Sequence, residues 1–379
     1  VLFLYHQFSN ILAMGKIRSF IFSALLILAG FQVFSQNHNK NKVRGLADVV
    51  GYASEKYQTD SVVNRIERTY GASIARYHRK AGITKETQWK VAICPHDDYA
   101  YASQVYQSVL PNVQSPVVFV FGVAHKARQL GIQDKIVFDS YKYWHGPYRR
   151  IKVSPVREEI LKLLPNQNYI ISDTLQQVEH SVEAVLPFLQ HQNRKIRIVS
   201  ILVPAMTLTQ MQQSADTLAG IIASIAHKHK WEWGKDYSFV ISSDAVHYGD
   251  QGWGDNNYAS YGVDTAGYRK AVEHEMKIMQ SITGNLSDIL VKNFSGYTVD
   301  DNDYTKYKWT WCGRYSIPYG LYVAIRLQNK LGLPVLRGKI LGYATSHDHK
   351  PLPVSDLKMG VTALQSLRHW VGYPALGFK

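Results

Sequence analysis

Four short apolar runs constrain this chain more than anything else in it. They are residues 89–94 (WKVAIC), 117–121 (VVFVF), 196–203 (IRIVSILV) and 237–241 (YSFVI). Each is β-branched or aromatic and shows almost no polar face. Such runs suit strands covered on both sides, as in the middle of a largely parallel sheet. Stretches with helical spacing stand between and around them, at 61–80, 156–164, 178–191, 208–229, 268–283 and 317–331. A further strand is read at 339–344 (KILGYA) and taken as the last. This alternation predicts an α/β fold: a single three-layer domain over residues 46–379, its central sheet largely parallel or mixed, with helices on both faces. No hinge rich in Pro, Gly or Ser divides the stretch, and 379 residues suffice for one large core.

The first 35 residues read as targeting rather than fold. Met14-Gly15-Lys16-Ile17-Arg18 is a short basic start, residues 20–34 are apolar, and Ser35-Gln36 offers a small residue for cleavage. At about 15 residues the apolar run falls short of the ~20 that a membrane-spanning helix needs. The expectation is a signal peptide at 1–35, with 1–13 upstream of a true start at Met14, then a polar linker at 36–45. The mature chain should be exported, periplasmic or secreted, with an N-terminally anchored form as the alternative, and it should carry no transmembrane span. The net charge of +14 comes from Lys and Arg spread along the chain. No nucleic-acid motif accompanies it, so it reads as solubilising charge and specific nucleic-acid binding is not expected. The sequence does not set the oligomeric state.

Chemistry-bearing residues cluster in five segments, three of them directly after strand runs. His96 follows the first run and His125 the second, and rigid strand ends suit imidazole ligands. Cys312, in Trp311-Cys312-Gly313-Arg314, stands just before a helix, where a thiolate is stabilised. Two imidazoles and a thiolate would make a three-ligand site for one transition metal ion with a position left open. A Cys94–Cys312 disulfide is the competing reading for an exported chain. Ser242-Ser243-Asp244-Ala245-Val246-His247 brings a carboxylate and an imidazole to one cleft, although Asp244 also reads as a helix N-cap. In Glu179-His180-Ser181-Val182-Glu183, His180 and Glu183 would share a helix face. Asp97 and Asp98 read as helix caps ahead of metal carboxylates. Weaker signals are His274-Glu275, which lacks the second histidine of a zincin helix, and His347-Asp348-His349, which reads as a solvated loop. Residues 249–255 read as a mobile rim.

Taken in order, these segments resemble the Memo-like family, also called AmmeMemoRadiSam system protein B, which is similar in fold to class III extradiol ring-cleaving dioxygenases. The family pattern runs Pro-His-Ala-Gly-Tyr, Gly-x-x-His, Glu-His-Ser-x-Glu-x-x-x-Pro, Ser-Ser-Asp-x-x-His and Cys-Gly. Here these stand as Pro95 to Tyr99, Gly122 to His125, Glu179 to Pro187, Ser242 to His247 and Cys312-Gly313. The resemblance implies His96, His125 and Cys312 as metal ligands, with iron or copper favoured over zinc. It puts His247 in the general-base position, with Asp244 and His180 beside it. The activity it implies is a metal-dependent oxidoreductase of extradiol-dioxygenase type on a small-molecule substrate, aromatic or peptide. A metal-dependent hydrolase in the same cleft and a non-catalytic peptide- or anion-binding module are the alternatives. Two departures stand out: Asp97-Asp98 replaces Ala-Gly, and an export signal precedes a fold known mostly from the cytoplasm.

Overall fold

The computed structural model describes residues 42–379; the expected signal peptide and most of the expected linker lie outside the described residues. Among the described residues, thirteen strands form one open mixed sheet. They are β1 (Val43–Arg44), β2 (Val91–Cys94), β3 (Val117–Val123), β4 (Ile136–Phe138), β5 (Tyr143–Trp144), β6 (Ile151–Val153), β7 (Tyr169–Ile171), β8 (Arg197–Val203), β9 (Tyr237–Ser242), β10 (His247–Gly249), β11 (Gly284–Asn285), β12 (Arg337–Thr345) and β13 (His369–Phe378). The helices are α1 (Lys56–Ala81), α2 (Tyr99–Val109), α3 (Val156–Leu163), α4 (Asp173–Val178), α5 (Leu186–Gln192), α6 (Leu208–His229), α7 (Thr265–Gln280), α8 (Asp288–Thr298) and α9 (Ser316–Lys330).

The spine of the sheet runs β6-β8-β3-β9-β2, all parallel, and then β13-β12-β11, all antiparallel. The apolar runs are the central strands because neighbouring residues feed opposite cores. Val117, Phe119 and Phe121 enter one core with Leu218 and Ile222 of α6 and Leu321 of α9. Val118 and Val120 enter the other with Val62 and Ile66 of α1, Val105 of α2 and Leu189 of α5. That is the three-layer arrangement expected of a sheet buried on both faces. Val43–Lys379 forms one compact unit. No helix among the described residues is long and apolar enough to cross a membrane.

Three expectations need correction. The strand at 339–344 is β12, but it is not the last: β13 follows and lies between β2 and β12. Its Gly372, Pro374 and Gly377 hide it from pattern reading. Pro374 is tolerated because β2 pairs only with residues 376–378, so the missing N–H is not needed there. The single helix at 178–191 is broken. α4 ends at Val178, and the N–H groups of His180 and Ser181 bond to the Glu179 carboxylate instead of a helical carbonyl. α5 restarts with Pro187 in its first turn, where proline fits. The linker, finally, does not reach residue 45. Val43 and Arg44 pair with Tyr143 and Trp144 as β1, and Arg44 is buried.

Candidate metal centre

Parallel register delivers the site. Cys94 pairs with Ser242 and Phe121 with Ile241, so β2, β3 and β9 finish at the same edge. The residues that follow them meet there, as ligand-binding residues do in open α/β sheets. Cys312 comes from the loop before α9, and that loop is fixed to the segment after β9. Val246 bridges Trp311, and the His247 N–H donates to the Thr310 carbonyl at 3.2 Å.

The donor atoms of His96, His125 and Cys312 all lie within 4.8 Å of one another, as do those of Asp244, His247 and Cys312. Cys312 Sγ is 3.4 Å from His96 Nε2 and accepts the Asp244 N–H at 3.1 Å. His96 and Cys312 are buried, while His125 and His247 are partly open to the adjoining cavity. His125 lies edge-on to His96, with centroids 5.1 Å apart, and stacks flat on His180 at 4.8 Å. The fit to a metal ion rests on what the other ring nitrogens do. Ser242 Oγ donates to the Ser181 carbonyl at 2.6 Å and therefore accepts from His96 Nδ1 at 2.8 Å. His125 Nδ1 donates to Glu179 Oε1 at 2.9 Å. Both rings thus keep the Nε2 lone pair for a ligand, in the arrangement usual for metal-bound histidines. His247 Nε2 is buried with no hydrogen-bond partner, an orphan that a bound group would satisfy.

Electrostatics agree. Burial pushes the Glu179 carboxyl up, but His125, His180 and the Ser181 N–H together outweigh it and hold the group at about 2. Burial, then neighbouring histidines led by His125, lowers His247 to about 3. Burial and His125 lower His180 to about 4, against the pull of Glu179. His96 is lowered well below the usual value by burial and the same neighbours. His96, His180 and His247 are therefore neutral at pH 7, the form that ligates metals and accepts protons. Burial and then Asp244 raise the Cys312 thiol well above its usual value, which a bound cation would reverse.

A cavity of about 670 Å³ opens beside the cluster, lined by His96, His125, His180, Asp244 and His247. Trp253, from the rim at 249–255, reaches into it between His247 and His369. Asp97 and Asp98 also line it but stand outside the donor groups. Asp97 accepts from Asp98 N and the Tyr373 hydroxyl. Asp98 holds the N–H and hydroxyl of Thr362 instead of capping α2. Asp244 is no helix cap either, since β10 follows it, and its Oδ1 accepts from His96 N at 2.9 Å. Both cysteines are free, so there is no Cys94–Cys312 disulfide. His347 turns to Gln365, and His349 to Asp348 and the Tyr101 carbonyl. Glu179, which orients His125, was visible in its motif but given no role. Glu275 was set aside as half a zincin motif, yet it is buried and binds the indole N–H groups of Trp309 and Trp311.

The model of the Memo-like protein family matches residues 59–357. The chain belongs to the Memo-like family. A MEMO1 family protein of Schizosaccharomyces pombe is 31% identical over 257 residues, 62% of this chain and 76% of that protein. MEMO1 family proteins of Methanosarcina barkeri and Pyrococcus abyssi are 29% and 25% identical, each over 41% of this chain. The chain spans about half the length of these two relatives, 54% and 52%. An uncharacterized protein of Escherichia coli K12 is a structural neighbour at a TM-score of 0.41 and 11% identity, over 76% of this chain and 99% of that one. Every candidate residue of this Memo-like centre, from His96 to Cys312, falls inside the matched region, whereas β1 and β13 fall outside it.

Proposed function

We propose that this Memo-like protein is a metal-dependent oxidoreductase of extradiol-dioxygenase type, acting on a small molecule in the His247 cavity. The observation that carries the reading is the paired orientation of His96 and His125. Each gives Nδ1 to a neighbour and keeps Nε2 beside Cys312 Sγ. His96, His125 and Cys312 would hold one transition metal ion, iron or copper ahead of zinc. Such an ion supplies Lewis acidity and redox capacity at the cavity wall.

The remaining work falls to the protein's own groups. His247 is neutral and its Nε2 unpartnered, so it takes the proton from a substrate hydroxyl. Asp244 Oδ2, 3.9 Å from His247 Nε2 and 3.5 Å from His96 Nε2, stabilises the imidazolium that results. His180, flat on His125, and Trp253 bound the space and limit how a planar substrate lies.

Elemental analysis of the natively expressed, tag-free protein beside Cys312→Ser tests the metal assignment. About one equivalent of iron or copper, lost in the variant, is expected. Oxygen uptake with aromatic diols then tests the reaction, with His247→Ala lowering kcat by about 10²–10⁴ while keeping its metal. Zinc with oxygen-independent turnover would replace this reading by a hydrolytic one. Wild-type protein without metal would overturn it.

A further inference from the structure

A second cavity, of about 470 Å³, shares His125 with the first and is also lined by Cys312. The two differ in charge. The first is lined by Asp48, Asp97, Asp98 and Asp244 and by no Lys or Arg. The second is lined by Arg128 and Arg314 and by no carboxylate.

Arg314 is only 9% exposed, and its charge has no ion-pair partner among the described residues. The rings of Tyr307 and Tyr315 lie 3.5 and 4.6 Å from its guanidinium carbon. One terminal nitrogen donates to the Thr305 carbonyl at 3.0 Å, and Nε is buried without a partner. A guanidinium is always charged, and burying it uncompensated is costly. Two tyrosine rings lie against it and its hydrogen-bonding edge is only partly used, the edge to which a carboxylate binds through two parallel hydrogen bonds. Around it the apolar Ile132, Val203, Pro204 and Ala205 line the wall beside the polar Gln133 and Thr305. A chamber of this size with a buried cation, walls that mix polar and apolar groups, and no acid among its lining residues suits a small organic anion.

We propose that this chamber is a binding site for a small carboxylate-bearing molecule, its carboxylate held by Arg314 and its apolar part against Tyr307. Arg128, exposed at the rim, draws the anion in. The first cavity has no Lys or Arg among its lining residues to hold the same molecule, so the two chambers differ in the ligands they favour. The assignment needs no metal in the neighbouring centre.

Calorimetric titration of the purified protein with sodium benzoate, benzamide and inorganic phosphate tests it, before and after stripping with a chelator. Benzoate should bind saturably in both states, with benzamide and phosphate weaker by about tenfold or more. Arg314→Gln should lose at least about tenfold in benzoate affinity, and Arg314→Lys, which keeps the charge but not the fork, should fall between. Circular dichroism checks folding; should the glutamine variant unfold, the lysine variant still has to bind more weakly than wild type. Equal binding of benzoate and benzamide, wild-type affinity in either variant, or benzoate binding that vanishes on stripping would overturn the proposal. Tighter binding of phosphate would overturn the carboxylate assignment. Protein that carries no metal as purified, yet binds benzoate through Arg314, would leave this site standing and remove the functional reading.

Discussion

Ser242 decides which nitrogen of His96 is available. Its hydroxyl proton goes to the Ser181 carbonyl, so it can only accept from His96 Nδ1, and Nε2 is left bare beside Cys312. Ser242→Ala should remove that constraint without removing a ligand. Partners of this kind typically contribute 10- to 100-fold in metal affinity, and a loss of about that size is expected in chelator competition. Unchanged affinity would mean that packing alone holds the ring. Residue identities in this site were largely legible, because strand ends and short motifs name His96, His125, Asp244, His247 and Cys312. Partnerships were not. Helical spacing puts Glu183 on one face with His180, yet Glu183 turns to Arg44 while Glu179 turns to His125. Side-chain direction in a broken helix depends on contacts 54 and 139 residues away along the chain, which no local period records.

Among the elements, α7 reaches the site through Glu275. One carboxylate oxygen accepts from Trp309 Nε1 at 2.6 Å and Trp311 Nε1 at 2.7 Å. The other accepts from Val246 N at 3.0 Å and the Tyr343 hydroxyl at 3.3 Å. One buried group thus ties the loop that carries Cys312 and the segment before β10 to the same helix. Burial pushes the Glu275 carboxyl up to about 7, against these hydrogen bonds. An unfolded glutamate titrates near ~4.3, so between that value and 7 the folded state holds a proton that the unfolded state has released. Stability from this group is therefore full at low pH and declines as pH rises through that window. Glu275→Gln removes the decline, and its amide would face the Val246 N–H, at a cost of about 1–3 kcal/mol. In urea denaturation, wild type should lead the variant by a margin that shrinks between pH 5 and pH 7.5; a constant or widening margin would refute the linkage. The elements themselves were readable where burial is uniform, as in β3, β8 and β9. They were unreadable where glycine and proline interrupt the pattern, as in β13.

At the scale of the whole molecule, the N-terminal residues close one wall of the candidate site. Ala47 to Val50 line the first cavity, and the backbone N–H groups of Ala47 and Asp48 donate to Glu183 at 2.7 and 3.1 Å. Glu183 also pairs with the buried guanidinium of Arg44, which lies 4.6 Å from the Trp144 ring. Composition reads residues 36–45 as linker, since a polar run carries no sign of the distant carboxylate that pairs with Arg44. One carboxylate therefore secures both β1 and the cavity wall, and breaking a buried pair from one side costs far more than removing both partners. Glu183→Gln should lower stability by about 3–5 kcal/mol, because Arg44 stays buried without its counter-charge. Arg44→Met combined with Glu183→Gln should recover a large part of that loss, a coupling that a double-mutant cycle in urea reads directly. The single Glu183→Gln variant should also be cut faster by protease between residues 42 and 50, since the wall loses its anchor while the sheet behind it persists. Equal losses in the single and double variants, with no change in cleavage, would show that the ion pair is incidental and that pairing of β1 with β5 alone holds the segment in place.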